Sequence, residues 1–251
     1  MTGLFAEAII KPIYNGFAFF IGVAPGGSVG VAIILTTLLV RIVLLPLSHK
    51  ASLSQVKMRA LAPELEAIRK KHAKNKEEQA KKTFELYRQH KLNPFSSCVS
   101  IIIQIPIILG LFYVFFKYLP QGINPEYLYK LVLMPDSINL SFLGIFDLKG
   151  KSIILAGLAA TAQFFQLKYM SPVPTPGDKK EKGTLAEELL KNMTKQMRYT
   201  LPVVVFVGAH YTSAAVALYW TTSNLFSFGH EWYVRKKVER EGLKKAAHEQ
   251  H

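Results

Sequence analysis

Arg41 lies inside TTLLVRIVLLPL, residues 36–47, where every other side chain is apolar or a threonine. A guanidinium at the centre of a membrane-spanning helix costs roughly 2.5–3.5 kcal/mol on insertion-type scales, so a charge kept there implies a use. The chemistry open to it is electrostatic capture of an anionic or polar group rather than bond making. Other polar side chains recur in apolar surroundings: Thr37 one helical turn before Arg41, Gln104, and the cluster Tyr219, Thr221, Thr222, Ser223 and Asn224. Each alone reads equally well as hydrogen-bonding glue between helices. Taken with the arginine, they fit the lining of a hydrophilic groove.

Three arrangements are open to Arg41. Its head can snorkel to the lipid headgroups, since Leu47 is only six residues on, about 9 Å along a helix. It can pair with backbone carbonyls, or it can face a water-filled cavity. The apolar segments contain no Asp or Glu, and a buried charge without a partner is very costly. A groove in which a partner's carboxylate meets Arg41 answers that need, and pairing there is stronger than at a surface because less water screens it.

Covalent chemistry finds little support, and the chain reads as a non-enzyme without cofactor or metal. His230-Glu231 begins like a zinc-protease helix, but Val234 stands where the second histidine belongs. His248 and His251 fall in the tail, Ser223 has no histidine at a useful spacing, and no glycine-rich phosphate loop occurs. The alternative function is an anion-binding membrane transporter or channel, since an intramembrane arginine can hold an anionic solute. The chain shows no internal repeat of the kind common transporters carry.

The elements that must position these residues come in long apolar blocks. Of 251 residues 50% are hydrophobic and the net charge is +14, a combination that points to a membrane protein with anionic partners. A single cysteine, Cys98, excludes a disulfide framework. Residues 1–28 predict an N-terminal amphipathic, interfacial helix, with Phe5, Ile9, Ile13 and Phe17 at four-residue spacing, ending at Pro25-Gly26-Gly27-Ser28. The opening residues lack the basic stretch and cleavage site of a typical signal peptide. Residues 29–47 predict the first span. Residues 48–93 turn polar, with stripes Leu61, Leu65, Ile68 and Ala80, Phe84, Tyr87 and the pairs Glu66–Lys70, Glu77–Lys81 and Glu78–Lys82. They predict an antiparallel helical hairpin outside the membrane.

Residues 94–116, interrupted by Gln104, Pro106 and Gly110, predict the second span, and 117–151 a loop on the far side. Residues 152–169 are the third span, and 170–198 a loop leading to a short amphipathic helix over 185–197. Residues 199–230 are a tight hairpin of the fourth and fifth spans, both short. Residues 231–251 are a basic tail, partly disordered, opening with the belt residues Trp232 and Tyr233. The fold class is therefore an all-α membrane protein: five transmembrane helices, a cytoplasmic helical hairpin and an N-terminal interfacial helix.

Charge orients this plan. The segments 48–93, 168–198 and 235–251 hold 25 of the 31 Lys and Arg residues, against 4 in residues 117–151. All three rich segments fall on one side of a five-span chain, which the positive-inside rule makes cytoplasmic. The N-terminus is then outside and the C-terminus in the cytoplasm. The tail's Arg235, Lys236, Lys237, Arg240, Lys244 and Lys245 suit either RNA phosphates or anionic lipid.

Three stretches in order, TTLLVRIVLLPL from Thr36, LNPFSSCVSIIIQIPIILGLFYVF from Leu92 and ALYWTTSNLFS from Ala217, resemble the YidC/Oxa/Alb family of membrane protein insertases. Leu61-Ala62-Pro63 and Glu85-Leu86-Tyr87 fit that family's cytoplasmic hairpin, and the resemblance covers nearly the whole chain. It implies an arginine-bearing groove open to cytoplasm and lipid, in the bacterial cytoplasmic (inner) membrane. Substrates would be nascent membrane proteins. Partners would be the lipid bilayer and, through the hairpin and basic tail, the Sec translocon, the signal recognition particle pathway and the ribosome. By matching position Arg41 would be the groove arginine, and Thr37 and Trp220 would lie where substrate is contacted. The full groove set is then Arg41, Thr37, Gln104, Tyr219, Trp220, Ser223 and Asn224. Ser213-Ala214-Ala215 stands in place of a proline-containing turn, and the large periplasmic domain of some bacterial members has no counterpart here.

Overall fold

The computed structural model describes residues 3–73, 75–92, 96–115, 122–170 and 185–248, with side chains described for all of these except 59, 76, 96–104, 170, 185–195 and 241–248. The chain is mostly helical. A π-helical turn, Ala6–Ile10, leads into α1, Lys11–Val23. Then come α2, Val29–Val43; α3, Leu45–Ala60; α4, Ala62–Lys71; α5, Lys76–Gln89; and α6, Ser96–Tyr113. A two-stranded antiparallel hairpin follows, β1 Ser141–Phe142 and β2 Phe146–Asp147. The chain finishes with α7, Ile153–Met170; α8, Leu185–Tyr211; and α9, Ala214–His248.

The residues pairing between helices set the directions of the bundle. Arg41 meets Ser223 and His49 meets His230, so the α2–α3 segment runs parallel to α9. Asn224 meets Gln163 and Phe228 meets Tyr169, so α7 is parallel to α9 as well. α8 runs the other way: Tyr199 packs near Phe164 and Tyr211 near Lys151. One end of the bundle therefore collects the N-termini of α2, α7 and α9.

The loop between α6 and α7 closes that end. Ala214 N–H donates to the Gly150 carbonyl at 2.8 Å and Ala215 N–H to that of Leu148 at 3.2 Å, satisfying donors that the start of α9 leaves open. Val29 N–H donates to the Asn139 carbonyl at 2.9 Å, and the Ser28 side chain caps α2. Asn15 on α1 pins the same loop, donating to the Tyr127 carbonyl at 2.9 Å and accepting from the Tyr129 N–H at 2.6 Å. Two glycines allow the close approach: a Cβ at Gly27 would lie 2.2 Å from the Ser137 carbonyl oxygen, and one at Gly30 would lie 2.1 Å from the Phe142 ring.

The main buried apolar cluster occupies this half of the bundle. It draws on Phe17 and Ile21 of α1, Ala32 and Ile33 of α2, Leu111 of α6, Leu155 of α7 and Leu218 of α9. The outward faces are also apolar and exposed, with Leu39, Ile42, Leu109, Phe112, Ile154, Leu158, Val203, Val207 and Leu225 on five different helices. A soluble protein seldom exposes such a surface. No single described helix is long and apolar enough to cross a membrane. The pair Val29–Val43 and Leu45–Met58 meets that test together, bent by 65°.

Several boundaries differ from those expected. The segment 29–47 is not one straight span, because Pro46 removes a backbone donor and bends the chain at Leu44. Pro46 then sits in the first turn of α3, where proline is tolerated, and the helix continues to Ala60. The expected hairpin is thereby confined to α4 and α5, paired antiparallel through His72–Glu78 at 3.3 Å and Glu64–His90 at 3.8 Å.

The face of α5 that is buried carries Gln79 and Leu86, not the predicted Ala80, Phe84 and Tyr87, and Phe84 is 57% exposed. Of the predicted charge pairs, Glu66–Lys70 forms at 2.9 Å, whereas Glu78 turns to His72 and Lys82 to Glu85. The hydrogen bond from the exposed Lys82 ammonium holds the Glu85 carboxyl below its ordinary range.

The N-terminal helix packs into the core rather than lying apart: Ile10, Ile13, Tyr14, Phe17, Ala18 and Ile21 are buried, while Phe5 of the expected stripe is exposed. The helix expected over 185–197 and the span from 199 are one helix, α8, since nothing between Met197 and Tyr199 breaks a helix. Likewise the tail continues α9 where it is described. α9 runs unbroken to His248, with Val234 buried and Arg235 paired to Glu239 at 3.4 Å. The expectation for residues 249–251, and that for the 171–184 loop, lie outside the described residues.

Candidate functional site

Arg41 occupies the last turn of α2, just before the bend. That position suits a cation. The C-terminal carbonyls of a helix carry a partial negative charge, worth about 0.3–1 kcal/mol to a nearby positive group. Pro46, lacking an N–H, removes the usual i+4 donor of the Ile42 carbonyl in this turn. The side chain does not run along the helix towards its end. It reaches across to α9, where Nε donates to the Ser223 hydroxyl at 3.0 Å and a terminal guanidinium nitrogen donates to the same oxygen.

Tyr219, one turn earlier on α9, interacts electrostatically with Arg41. Tyr219 and Ser223 are both buried, and they lie four residues apart, on one face of α9. Thr37, one turn before Arg41 on α2, is buried with its hydroxyl donated to the Ile33 carbonyl at 2.6 Å. Thr36 beside it is buried too, and its hydroxyl has no hydrogen-bond partner among the described residues.

The rest of the expected groove set divides between other helices. Asn224 donates to Gln163 of α7 at 3.1 Å, and Gln163 in turn donates to Gln166 at 3.2 Å. That is interhelical glue. Trp220 packs its ring edge towards Gly208 of α8, 3.5 Å from where a Cβ would stand. Thr221 and Thr222 return their hydroxyls to the carbonyls of Ala217 and Leu218, each at 2.8 Å, so they close their own helix. The side chain of Gln104 lies outside the described residues. Arg41, Tyr219 and Ser223 are thus brought together, with Thr37 one turn away, whereas Asn224 and Trp220 serve neighbouring seams.

Sequence reasoning missed one contact on this seam. Below the bend, His49 of α3 meets His230 of α9, Nδ1 to Nε2 at 3.3 Å, with the rings tilted at 59°. A signal existed: His49 follows Arg41 by eight residues and His230 follows Ser223 by seven, the near-equal offsets that two parallel helices produce. Among the described residues no three His, Cys, Asp or Glu side chains converge as a metal site would require.

What this arrangement can do is hold a guanidinium by hydroxyl contacts at the boundary between the apolar cluster and the polar half of the bundle. The Ser223 contacts themselves are weaker than a carboxylate pair.

A family model described as 60Kd inner membrane protein matches residues 20–241. A protein of Clostridium tetani named membrane protein insertase YidC is 30% identical over 223 residues, 89% of this chain and 89% of that protein. One of the same name from Fusobacterium nucleatum is 33% identical over 214 residues, 84% of this chain and 88% of that protein. The membrane protein insertase YidC of Azotobacter vinelandii is 26% identical over 214 residues, which cover 85% of this chain but 33% of that longer protein.

Proposed function

Since the chain belongs to the 60Kd inner membrane protein family, to which the YidC insertases belong, we propose that it moves nascent membrane proteins into a lipid bilayer through a polar groove between α2 and α9. The observation that carries this reading is the division of the bundle. The apolar cluster fills the half where α2, α7 and α9 begin, and Arg41, Ser223, Gln163 and Asn224 lie in the other half. A groove built this way opens at one face and stops within the membrane.

In this reading five segments cross the bilayer: α2 with the start of α3, α6, α7, the second half of α8 and the first half of α9. The exposed aliphatic belt on these helices supports it. The segments are short, so the bilayer is thinned around them. The N-terminus is outside and the C-terminus in the cytoplasm of a bacterial inner membrane.

The polar flank of a client enters the groove, its acidic groups drawn to Arg41, so these groups cross less hydrocarbon. The client's apolar segment then slides into lipid, driven by the hydrophobic effect. No bond is made or broken. The α4–α5 hairpin and the basic end of α9 are the surfaces offered to cytoplasmic partners, the ribosome and signal recognition pathway among them, and the Sec translocon is a partner in the membrane.

Reconstitution tests this reading against its rival. Purified protein in liposomes, given a short client with an acidic translocated tail, is expected to protect that tail from external protease. Anion flux without protection would instead make the protein a transporter.

A further inference from the structure

We propose that the turn of the β1–β2 hairpin is a lipid-contact element, seating Leu143 and Ile145 in the interfacial layer of the outer leaflet. This rests on the reading above, in which this end of the bundle is outside.

The turn is Phe142-Leu143-Gly144-Ile145, closed by Ile145 N–H donating to the Phe142 carbonyl at 3.2 Å. Both central residues have positive φ, 55° at Leu143 and 70° at Gly144. That pattern belongs to tight hairpins that favour Asn-Gly or Asp-Gly. A leucine held in the left-handed region is strained, because its Cβ crowds the following carbonyl oxygen. Asparagine would relieve the strain and be soluble. The chain instead carries leucine, 72% exposed, and follows the glycine with isoleucine, 77% exposed.

The turn stands on a fixed base. Ser141 pairs with Asp147 and Phe142 with Phe146, and both phenylalanines pack on the core, Phe142 against Gly30. Leu148 is buried, donates to the Leu140 carbonyl at 3.0 Å and accepts from the first turn of α9. The two aliphatic side chains are thus held outward by a rigid support. Burial of these two side chains offsets the strain only if something apolar lies outside.

Lipid fits better than protein. Two side chains on a turn offer a small part of the roughly 1,200 Å² that a specific protein interface buries. The exposed belt of α7 begins close by in the chain, at Ile153 and Ile154. Lys151, between tip and belt in the chain, sits over the Tyr211 ring at 5.2 Å, and Lys11 sits over Tyr129 of the same loop at 5.8 Å. Such basic–aromatic pairs suit the headgroup layer. Leu131 and Leu133, exposed on either side of the core-packed Val132, present aliphatic side chains outward in the same loop.

The test is depth-dependent fluorescence quenching in phosphatidylcholine–phosphatidylglycerol liposomes. In a Cys98→Ser background, the variants Ile145→Cys, Leu158→Cys and Glu126→Cys are labelled singly with an environment-sensitive dye. The expected result is that a shallow nitroxide lipid quenches the label at 145 at least threefold more than aqueous iodide does, with the reverse at 126. Iodide quenching at 145 equal to that at 126 overturns the proposal, and so does a label at 145 that neither agent reaches, which would mean a protein partner covers it. The label of Leu158→Cys, on the α7 belt, reports on the underlying topology. Lipid quenching at 158 without quenching at 145 sinks the tip alone, and none at either sinks the membrane reading with it. Leu143→Cys replaces Ile145→Cys should the latter misfold.

Discussion

The Arg41 guanidinium and the Ser223 hydroxyl are locked together across α2 and α9, with two guanidinium nitrogens donating to one oxygen. This contact links the last turn of a bent helix to a parallel partner more than 180 residues on in the chain. It places the charge at the seam of the bundle, where the proposed groove lies.

Ser223→Ala removes an acceptor from a charged donor and leaves the charge. The expected cost is about 1.5–3 kcal/mol of stability, read as a lower midpoint of thermal unfolding in detergent. Insertion of an acidic client should survive in the fraction that remains folded. An Arg41→Ala protein should show the opposite balance, with stability near wild type and insertion impaired.

Asn224 and Gln163 make a second seam, between α9 and α7. Asn224→Ala leaves the Gln163 carbonyl short of a donor, and an interhelical bond of this type couples by about 0.6 kcal/mol on average in membrane bundles. A double-mutant cycle with Gln163→Ala, scored by unfolding, should return a coupling of that order. A value indistinguishable from zero would mean that the two amides bond elsewhere.

Gly30 is a packing requirement. A methyl there would overlap the Phe142 side chain, its ring at 2.1 Å and its Cβ at 2.9 Å, so Gly30→Ala should cost about 1–3 kcal/mol, the usual range for overpacking. Phe142→Ala in the same protein should return part of the loss. Failure of that rescue would place the strain in the backbone instead.

Pro46 should set the 65° bend. Pro46→Ala restores a donor and lets the helix run straighter, so spin labels at Ile34 and Gln55 should move apart in a distance measurement by electron resonance. Unchanged distances would show that the His49–His230 contact holds the bend without the proline.

The helices were legible where an apolar block or a capping residue marks an end. α7 begins within a residue of its expected start, and the Asn75 side chain accepts from Glu78 N–H to cap α5, between the two predicted stripes. Element ends were less legible where composition changes without a breaker. The passage from charged to apolar residues near Met197, and from apolar to basic near Tyr233, changes solvent exposure but does not stop a helix, so α8 and α9 run on. The site shows the same limit. Residues 219–224 place polar groups all round α9, because successive residues turn by 100°. Periodicity alone cannot say which face meets which neighbour. Only packing sends Ser223 to α2, Asn224 to α7 and Trp220 to α8. The His49–His230 pair escaped notice because each histidine, taken singly, looks like an ordinary polar residue past the end of an apolar run.

The central claim is that the charge of Arg41 receives the acidic part of a client. The most direct measurement compares two clients, identical except that the translocated tail carries two aspartates or two asparagines, inserted into liposomes by the wild-type protein, Arg41→Lys and Arg41→Ala. The account predicts that protease protection of the acidic tail falls at least fivefold for Arg41→Ala, is largely kept by Arg41→Lys, and changes little for the neutral tail. Equal protection of the acidic tail by wild type and Arg41→Ala, with both proteins folded, would contradict it.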